Sequence, residues 1–291
     1  MSKKKIPFAI AYDFDGTLAP GNMQERAFIP AIGTNKKKFW AEVKAECKKH
    51  SADNILMYMK LMLAKAQAAE VQVRKKDFET YGAELSLFQG VDAYKEGRRV
   101  IKGWFDRIDF YGNQSGVEVS HFVVSSGIRE MVAGTSIAKH FKAIFASSFC
   151  YDHHGIAVWP ALALNYTTKT QYLFRINKGS LQVDDHMEIN RFVPEEDRPV
   201  PFGHMAYIGD GETDIPCFRV VKDRGGHSIA VFQPKTKGAR TRSMQMVKDG
   251  RVNFLAPADY REGGEIDKIV KALIDKVAHD IHVRELQCVY R

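Results

Sequence analysis

Cysteine is scarce in this chain: the 291 residues contain four, namely Cys47, Cys150, Cys217 and Cys288. None of them forms a CxxC pair or a zinc-finger spacing. The sequence therefore excludes a disulfide scaffold or a structural zinc cluster as the basis of the fold. We expect four free thiols in a reducing compartment.

Long apolar runs are also missing. No segment reaches the roughly 20 apolar residues that a membrane helix requires, and the lysine-rich start at residues 1–7 contains no apolar signal stretch. We therefore expect a cytoplasmic protein without a membrane partner.

The net charge of +8 is spread along the chain, with short lysine clusters only at residues 3–5 and 36–38. Dispersed positive charge favours solubility or the steering of small anions over a nucleic-acid partner. Hydrophobic residues make up 45% of the chain, which is enough for a globular core.

Short apolar runs separated by helical patterns extend through most of the chain. The runs predict strands at residues 6–14, 119–125, 143–149, 205–209, 228–232 and 252–255. Helical spacing of apolar residues is clearest at 266–277, while residues 179–203, with three prolines, read as a long loop or a short extra hairpin. We predict an α/β fold, a Rossmann-like parallel sheet with helices on both faces.

The region after the first predicted strand differs, because its apolar residues follow helical spacing without an intervening strand. This pattern predicts an inserted helical cap domain at residues 21–86, and a core domain made of residues 1–20 and 87–291. In parallel sheets of this kind, active sites lie at the carboxyl ends of the strands.

Acidic residues follow two of the predicted strands. Asp13 and Asp15 come at the end of the first strand and point to the same side of an extended segment. Two adjacent carboxylates repel each other unless a cation or a proton intervenes, and a turn alone explains only one of them. Asp210 and Asp214 follow the strand at 205–209, and such oxygen ligands suit Mg²⁺.

Two further segments suit a phosphate group. Ser125, with Ser126 and Gly127, ends a strand before a predicted helix, where its hydroxyl would bind a phosphate oxygen or cap the helix. Thr168 and Gln171 fit a capping box, which predicts a helix starting there with Lys169 in its first turn. Because a cation there opposes the helix dipole, Lys169 either has an anionic partner or is a solvated surface residue.

In this order, the four segments resemble the motifs of the haloacid dehalogenase superfamily, and within it the phosphoserine-phosphatase-like branch. Asp13-Phe14-Asp15-Gly16-Thr17 matches the first motif, Ser125 the second, Lys169 the third, and Asp210 with Asp214 the fourth. The longest gap, 112 residues, separates Asp13 from Ser125, which places the cap between the first two motifs.

The resemblance implies a phosphatase in which Asp13 forms an aspartyl-phosphate and Asp15 acts as acid and base. It implies Mg²⁺ held by the Asp13 carboxylate, the Asp15 backbone carbonyl and Asp210, with Asp214 completing the site directly or through water. Phosphate oxygens would be held by Lys169 and by the segment 125–127.

The resemblance does not specify the substrate. Gln24, Glu25 and Arg26 follow the first motif closely and are the expected substrate contacts, but none aligns securely with the glutamate that the branch uses for phosphoserine. We expect a small phosphorylated metabolite as the substrate. A phosphotransferase, a phosphoprotein phosphatase and a non-catalytic protein that binds a phospholigand remain open alternatives.

Overall fold

A seven-stranded sheet forms the centre of the computed structural model, which describes residues 5–234 and 236–288. The strands, β1 to β9 in chain order, include a separate two-stranded hairpin, β2–β3. Their bounds are Ile6–Tyr12, Tyr94–Glu96, Arg99–Ile101, Val117–Ile128, Phe141–Tyr151, Ala157–Leu162, Met205–Gly209, His227–Phe232 and Phe254–Pro257. In the large sheet the order is β6-β5-β4-β1-β7-β8-β9, parallel throughout except for β6, which pairs antiparallel with β5.

Eleven α-helices lie in the described residues, together with five short 3-10 turns. Helices α1 to α4 precede the hairpin: Phe28–Ala31, Lys36–His50, Asn54–Ala68 and Lys75–Ala83. Helices α5 to α8 follow it: Trp104–Gln114, Arg129–Ala133, Tyr166–Lys178 and His186–Asn190. Helices α9 to α11 are Ile215–Asp223, Ala239–Lys248 and Glu265–Cys288.

The sheet is covered on both faces, as the sequence predicts. Alternate residues of β1 enter different cores: Ile10 and Tyr12 pack in one, and Ala9 and Ala11 in the other. Helices α5 and α11 supply apolar residues to the first core, and α7 and α9 to the second. The predicted α/β fold is therefore confirmed, and β1 is buried at the centre of the sheet.

Several boundaries differ from the prediction. The last strand lies at 254–257 rather than 252–255, and β1 ends at Tyr12 rather than Phe14. Neither β6 nor the β2–β3 hairpin was predicted, since β6 is an edge strand that contains Pro160 and the hairpin strands have three residues each. Residues 179–203 contain α8 and two 3-10 turns but no strand, so the alternative hairpin there is wrong.

Between the first strand and the hairpin, the chain is helical, as expected for the inserted region. Its strand-like features among the described residues are two isolated bridges, from Asp15 to Ala19 and from Arg74 to Ile156. The Phe78 ring stacks on Phe149 of β5 at 5.4 Å, and Tyr58 of α3 donates a hydrogen bond to the Ser126 carbonyl of β4. The helical segment thus packs against the carboxyl end of the sheet, while the domain boundaries at residues 20 and 87 stay a prediction.

Three of the four cysteines, Cys47, Cys150 and Cys217, carry free thiols. The side chain of Cys288 lies outside the described part of the structure. None of the helices described is both long enough and apolar enough to cross a membrane.

Candidate active site

The predicted site residues converge at the carboxyl edge of the sheet, where three adjacent strands end. Asp13 follows β1, Ser125 lies near the end of β4, and Asp210 follows β7. The backbone amide of Asp13 also donates to the Ile208 carbonyl of β7 at 2.9 Å. Because β4, β1 and β7 are parallel neighbours, their ends bring residues distant in sequence to one place.

A buried lysine joins two of the aspartates. The Lys169 Nζ atom lies 3.1 Å from Asp13 Oδ1 and donates to Asp214 Oδ1 at 2.8 Å, and its side chain is fully buried. Burial opposes the charge of Lys169, but the two carboxylates outweigh it and raise its pKa. Lys169 therefore has anionic partners within the protein, and its alternative placement as a solvated surface residue is wrong.

Burial also raises the pKa of Asp13 to about 6, with the Asp214 charge adding to the effect and Lys169 opposing it. At neutral pH most of the Asp13 side chains are therefore ionised. A carboxylate in this state can act as a nucleophile.

Asp214 is held in place by four donors. Its Oδ1 accepts from Lys169 and from the Tyr207 hydroxyl at 2.7 Å, and its Oδ2 accepts from the backbone amides of Asp210 and Gly211 at 3.1 and 3.2 Å. These bonds fix the loop that carries Asp210 and the ammonium group that faces Asp13. Asp214 thus positions both neighbours of Asp13.

Asp15 lies in a different environment, half-buried beside the first turn of the helical segment. Its Oδ1 accepts a hydrogen bond from the Met23 amide at 2.9 Å. Burial, and after it the Asp13 charge, raise the pKa of Asp15 well above its ordinary value. Two carboxyl groups in one cavity, one beside a lysine ammonium and the other bonded to a backbone amide, are in the different environments that suit a nucleophile and a general acid.

Three carboxylates could hold a cation. Oxygen atoms of Asp13, Asp210 and Asp214 lie within 4.8 Å of one another. Burial and the charges of Asp13 and Asp214 raise the pKa of Asp210, so a cation among these oxygens would relieve a repulsion already present. A set of hard oxygen donors such as these three carboxylates fits Mg²⁺.

Gly16 allows Asp210 to reach this cluster. Its φ of +76° is in the left-handed region, and a Cβ atom placed there would lie 2.1 Å from Asp210 Oδ2. Any other residue would displace the Asp210 carboxylate. The glycine of the first motif is therefore required by the close approach of an acid from β7.

The segment at Ser125 forms an irregular end of β4. The Ser125 Oγ atom accepts from the Gly127 amide at 3.1 Å, and the pairing with β5 shifts register between Ser125 and Ile128. Helix α6 begins at Arg129 after an N-cap at Ile128, so the alternative role of Ser125 as helix cap is wrong. The buried Oγ of Ser126 has no hydrogen-bond partner and is available to a ligand.

The helix that carries Lys169 begins earlier than predicted. Its N-cap is Asn165, and the capping box pairs Asn165 with Thr168, whose hydroxyl accepts from the Asn165 amide at 2.7 Å. Thr168 is thus the third helical residue rather than the cap. Lys169 still lies in the first turn, from where it reaches the aspartates.

A cavity of about 370 Å³ lies between the sheet edge and the helical segment. Its lining from the sheet side and the motif loops includes Asp13, Asp15, Gly16, Ser125, Ser126, Gly127, Asp210, Thr213 and Gln233. The helical segment contributes Gly21, Asn22, Gln24, Trp40, Asn54, Ile55 and Tyr58.

The three expected substrate contacts occupy different places. Gln24 is buried and lines the cavity, whereas Glu25 and Arg26 are not among its lining residues. Glu25 instead accepts hydrogen bonds from Trp40 Nε1 at 2.8 Å and Asn22 Nδ2 at 3.0 Å, and so holds two residues of the cavity wall. Arg26 is exposed.

Sequence reasoning missed most of the wall from the helical segment. Trp40 and Tyr58 both lie in the region 21–86 that is predicted to be helical, and the sequence pattern does not identify either as a site residue. The sequence feature that could have identified them is a polar atom on an otherwise apolar helix face. Both side chains carry a hydrogen-bond donor, which needs a partner when the side chain is buried. In the structure, Trp40 donates to Glu25 and Tyr58 to the Ser126 carbonyl.

Comparisons of the sequence and of the fold relate this chain to known proteins. An uncharacterized protein of Borreliella burgdorferi is 27% identical over 296 residues, which cover 91% of this chain and 96% of that protein. The fold resembles a HAD family hydrolase from Salmonella enterica subsp. enterica serovar Typhi, with a TM-score of 0.53 and 14% identity over 92% of this chain and 72% of that one. It also resembles an apo phosphoserine phosphatase, with a TM-score of 0.51 and 16% identity over 91% and 98% of the two chains.

The model of the haloacid dehalogenase-like hydrolase family matches residues 10–219, which is most of the chain. The matched span includes Lys169 and its two carboxylate partners, Asp13 and Asp214. The chain therefore belongs to the haloacid dehalogenase-like hydrolase family.

Proposed function

We propose that this protein is a magnesium-dependent phosphatase that hydrolyses a phosphate monoester of a small metabolite through an aspartyl-phosphate on Asp13. The observation that carries the proposal is the convergence of Asp13, Asp15 and Asp210 on one cavity, with the buried Lys169 ammonium 3.1 Å from Asp13 Oδ1. A volume of about 370 Å³ favours a small substrate over a phosphoprotein.

Asp13 is the nucleophile in this proposal. Its carboxylate attacks phosphorus, the bond to the leaving oxygen breaks, and the phosphoryl group remains on Asp13 until water attacks it. Lys169, 3.1 Å from Asp13 Oδ1, keeps the carboxylate ionised and reduces its repulsion from the anionic substrate. Asp214 holds Lys169 in this position.

Asp15 supplies the proton. Burial and the Asp13 charge raise the pKa of Asp15 and so favour the protonated form, which donates its proton to the leaving oxygen as the ester bond breaks. In the second step it accepts a proton from the attacking water. The hydrogen bond from the Met23 amide to Asp15 Oδ1 leaves the second oxygen available for this transfer.

Asp13, Asp210 and the backbone carbonyl of Asp15 would hold Mg²⁺, and Asp214 would complete the site directly or through water. When bound, the ion would offset the charge of the transferring phosphoryl group. The hydroxyls of Ser125 and Ser126, the Gly127 backbone and Lys169 would hold the phosphoryl oxygens. The free thiols also support a reducing, cytoplasmic location.

Hydrolysis of p-nitrophenyl phosphate tests this proposal. We expect turnover by the purified protein that requires added MgCl2 and stops with EDTA. Asp13→Asn should lower kcat by about 10³-fold or more, because the amide cannot act as the nucleophile. Asp184→Asn, at an exposed position of the loop after α7, is the matched control and should keep the wild-type rate. Substantial activity of Asp13→Asn, or none in the wild type, would contradict the proposal.

A further inference from the structure

The charged groups of the catalytic cavity all lie on its floor. Asp13, Asp15 and Asp210 are the acidic lining residues, and in the described part of the chain no lysine, arginine or histidine lines the cavity. Lys169 is buried beneath Asp13 and is paired with two carboxylates. A carboxylate on the leaving group would therefore find no cation in the wall and would face three acids.

The wall has no acid for an ammonium group either. Glu25 is the carboxylate next to it, but its Oε1 accepts from Trp40 and Asn22, and Lys36 lies 3.4 Å from its Oε2. Glu25 is therefore engaged in holding Trp40 and Asn22, two residues of the cavity wall. A leaving group with either sign of charge thus meets only neutral side chains from the helical segment.

The neutral wall nevertheless has unused hydrogen-bonding capacity. Gln24 is 2% exposed and lines the cavity, and its Oε1 atom has no hydrogen-bond partner. The Tyr58 phenol lines the same cavity, and it donates to the Ser126 carbonyl at 2.6 Å. Buried polar atoms are almost always paired, so a hydroxyl that donates to Gln24 would complete this wall.

An aromatic side chain also lines the cavity. The indole of Trp40 lines the cavity and is fixed by its bond to Glu25 and by an edge contact with the Tyr58 ring at 5.8 Å. A rigid ring presents an electron-rich face to the C–H groups of a hydroxylated carbon chain. The cavity of about 370 Å³ has room for about a dozen water molecules, enough for a phosphoryl group and a chain of about three to six carbons.

We infer that the leaving group is an uncharged, polyhydroxylated alcohol, that is, a sugar or polyol, with Gln24 accepting a hydrogen bond from one hydroxyl and Trp40 covering its C–H face. This inference rests on the proposed phosphatase function. It identifies Gln24 as a residue that determines specificity, and it disfavours phosphorylated amino acids and carboxylic acids as substrates.

A panel of esters tests the inference with the full chain and MgCl2. We expect kcat/KM for ribose 5-phosphate to exceed the values for phosphoserine, 3-phosphoglycerate and n-butyl phosphate by at least about tenfold, which corresponds to about 1.4 kcal/mol. Butyl phosphate has the neutral chain without hydroxyls, so it separates hydrogen bonding from charge. The aryl ester p-nitrophenyl phosphate reports hydrolysis that does not depend on hydroxyl recognition.

Variants then locate the recognition. Gln24→Leu keeps the approximate volume but removes the acceptor, so the ratio of kcat/KM for ribose 5-phosphate to that for p-nitrophenyl phosphate should fall about tenfold. Gln67→Leu, the same change at an exposed position of α3, should leave this ratio at its wild-type value. Because the ratio compares two substrates on one protein preparation, partial loss of folded Gln24→Leu protein does not change it.

The outcomes separate the two proposals. Hydrolysis of p-nitrophenyl phosphate with equal or higher kcat/KM for phosphoserine or 3-phosphoglycerate than for ribose 5-phosphate overturns the inference and leaves the phosphatase standing. An unchanged ratio in Gln24→Leu overturns the assignment of Gln24. Failure to hydrolyse every ester, the aryl ester included, overturns the phosphatase proposal and the inference together.

Discussion

Replacement of Lys169 by methionine would remove the cation that compensates two buried acids. The Lys169 ammonium lies 3.1 Å from Asp13 and 2.8 Å from Asp214, and the side chains of Lys169 and Asp214 are fully buried. Methionine has a similar length, so the main change is the loss of charge. Removing one partner of a buried ion pair costs about 3–5 kcal/mol, because the remaining charge is left without compensation. We expect the free energy of unfolding to fall by this amount.

The corresponding change in melting temperature follows from the size of the chain. Unfolding entropies of about 2.1 cal/mol/K per residue give about 0.6 kcal/mol/K for 291 residues. A loss of about 3–5 kcal/mol therefore lowers Tm by about 5–8 °C. Differential scanning calorimetry in EDTA would measure this shift, and urea unfolding would give the free energy directly. Lys268→Met, at an exposed position of α11, is the control and should change stability by less than about 0.5 kcal/mol.

A double variant tests the cause of the shift. If destabilisation arises from the uncompensated acids, adding Asp214→Asn to Lys169→Met should cost less than the sum of the two single changes, by about 0.5–3 kcal/mol. A Tm of Lys169→Met within about 1 °C of the wild type, or strict additivity in the double variant, would refute the account of Lys169 as the compensating charge of the site.

Two further outcomes follow from particular residues. Gly16→Ala should lower kcat/KM by about 100-fold, because the new Cβ atom would displace the Asp210 carboxylate. Gly33 has a similar φ of +67° and no atom near the position of a Cβ, so Gly33→Ala should lower stability without this loss of activity. Equal kinetic effects in the two variants would exclude displacement of Asp210 as the cause. Partial burial lowers the pKa of His227, so below about pH 6.5 the unfolded chain binds more protons than the folded one and stability falls as the pH falls. Urea unfolding of His227→Leu at pH 7.5 and 5.5 should show a smaller fall than the wild type, and an identical fall would argue against the lowered pKa of His227.

The floor of the site could be predicted from sequence because it depends on local patterns. Asp13 and Asp210 each follow a short apolar strand, and parallel strands end at a common edge. Lys169 was found through its conflict with a helix dipole, although the helix begins at residue 166 and not after Thr168. The capping box that the sequence pattern places at Thr168 and Gln171 is formed in the structure by Asn165 and Thr168.

The wall of the site could not be predicted, because it depends on how the helical segment packs on the sheet. Trp40 and Tyr58 lie at helical spacings that indicate a core, and no local pattern shows that their polar ends border a cavity. Glu25 was expected to contact the substrate from its distance along the chain alone. In the structure its hydrogen bonds instead hold the wall, a role set by residues up to 15 positions away.

The most direct test of the central claim is to detect phosphate on Asp13. In an acid-quenched single turnover with a 32P-labelled monoester and MgCl2, the account predicts protein-bound label that survives acid, is released by hydroxylamine as expected for an acyl phosphate, and is absent from Asp13→Asn. Product release at the wild-type rate without label on the protein, or label that persists in Asp13→Asn, would contradict Asp13 as the nucleophile.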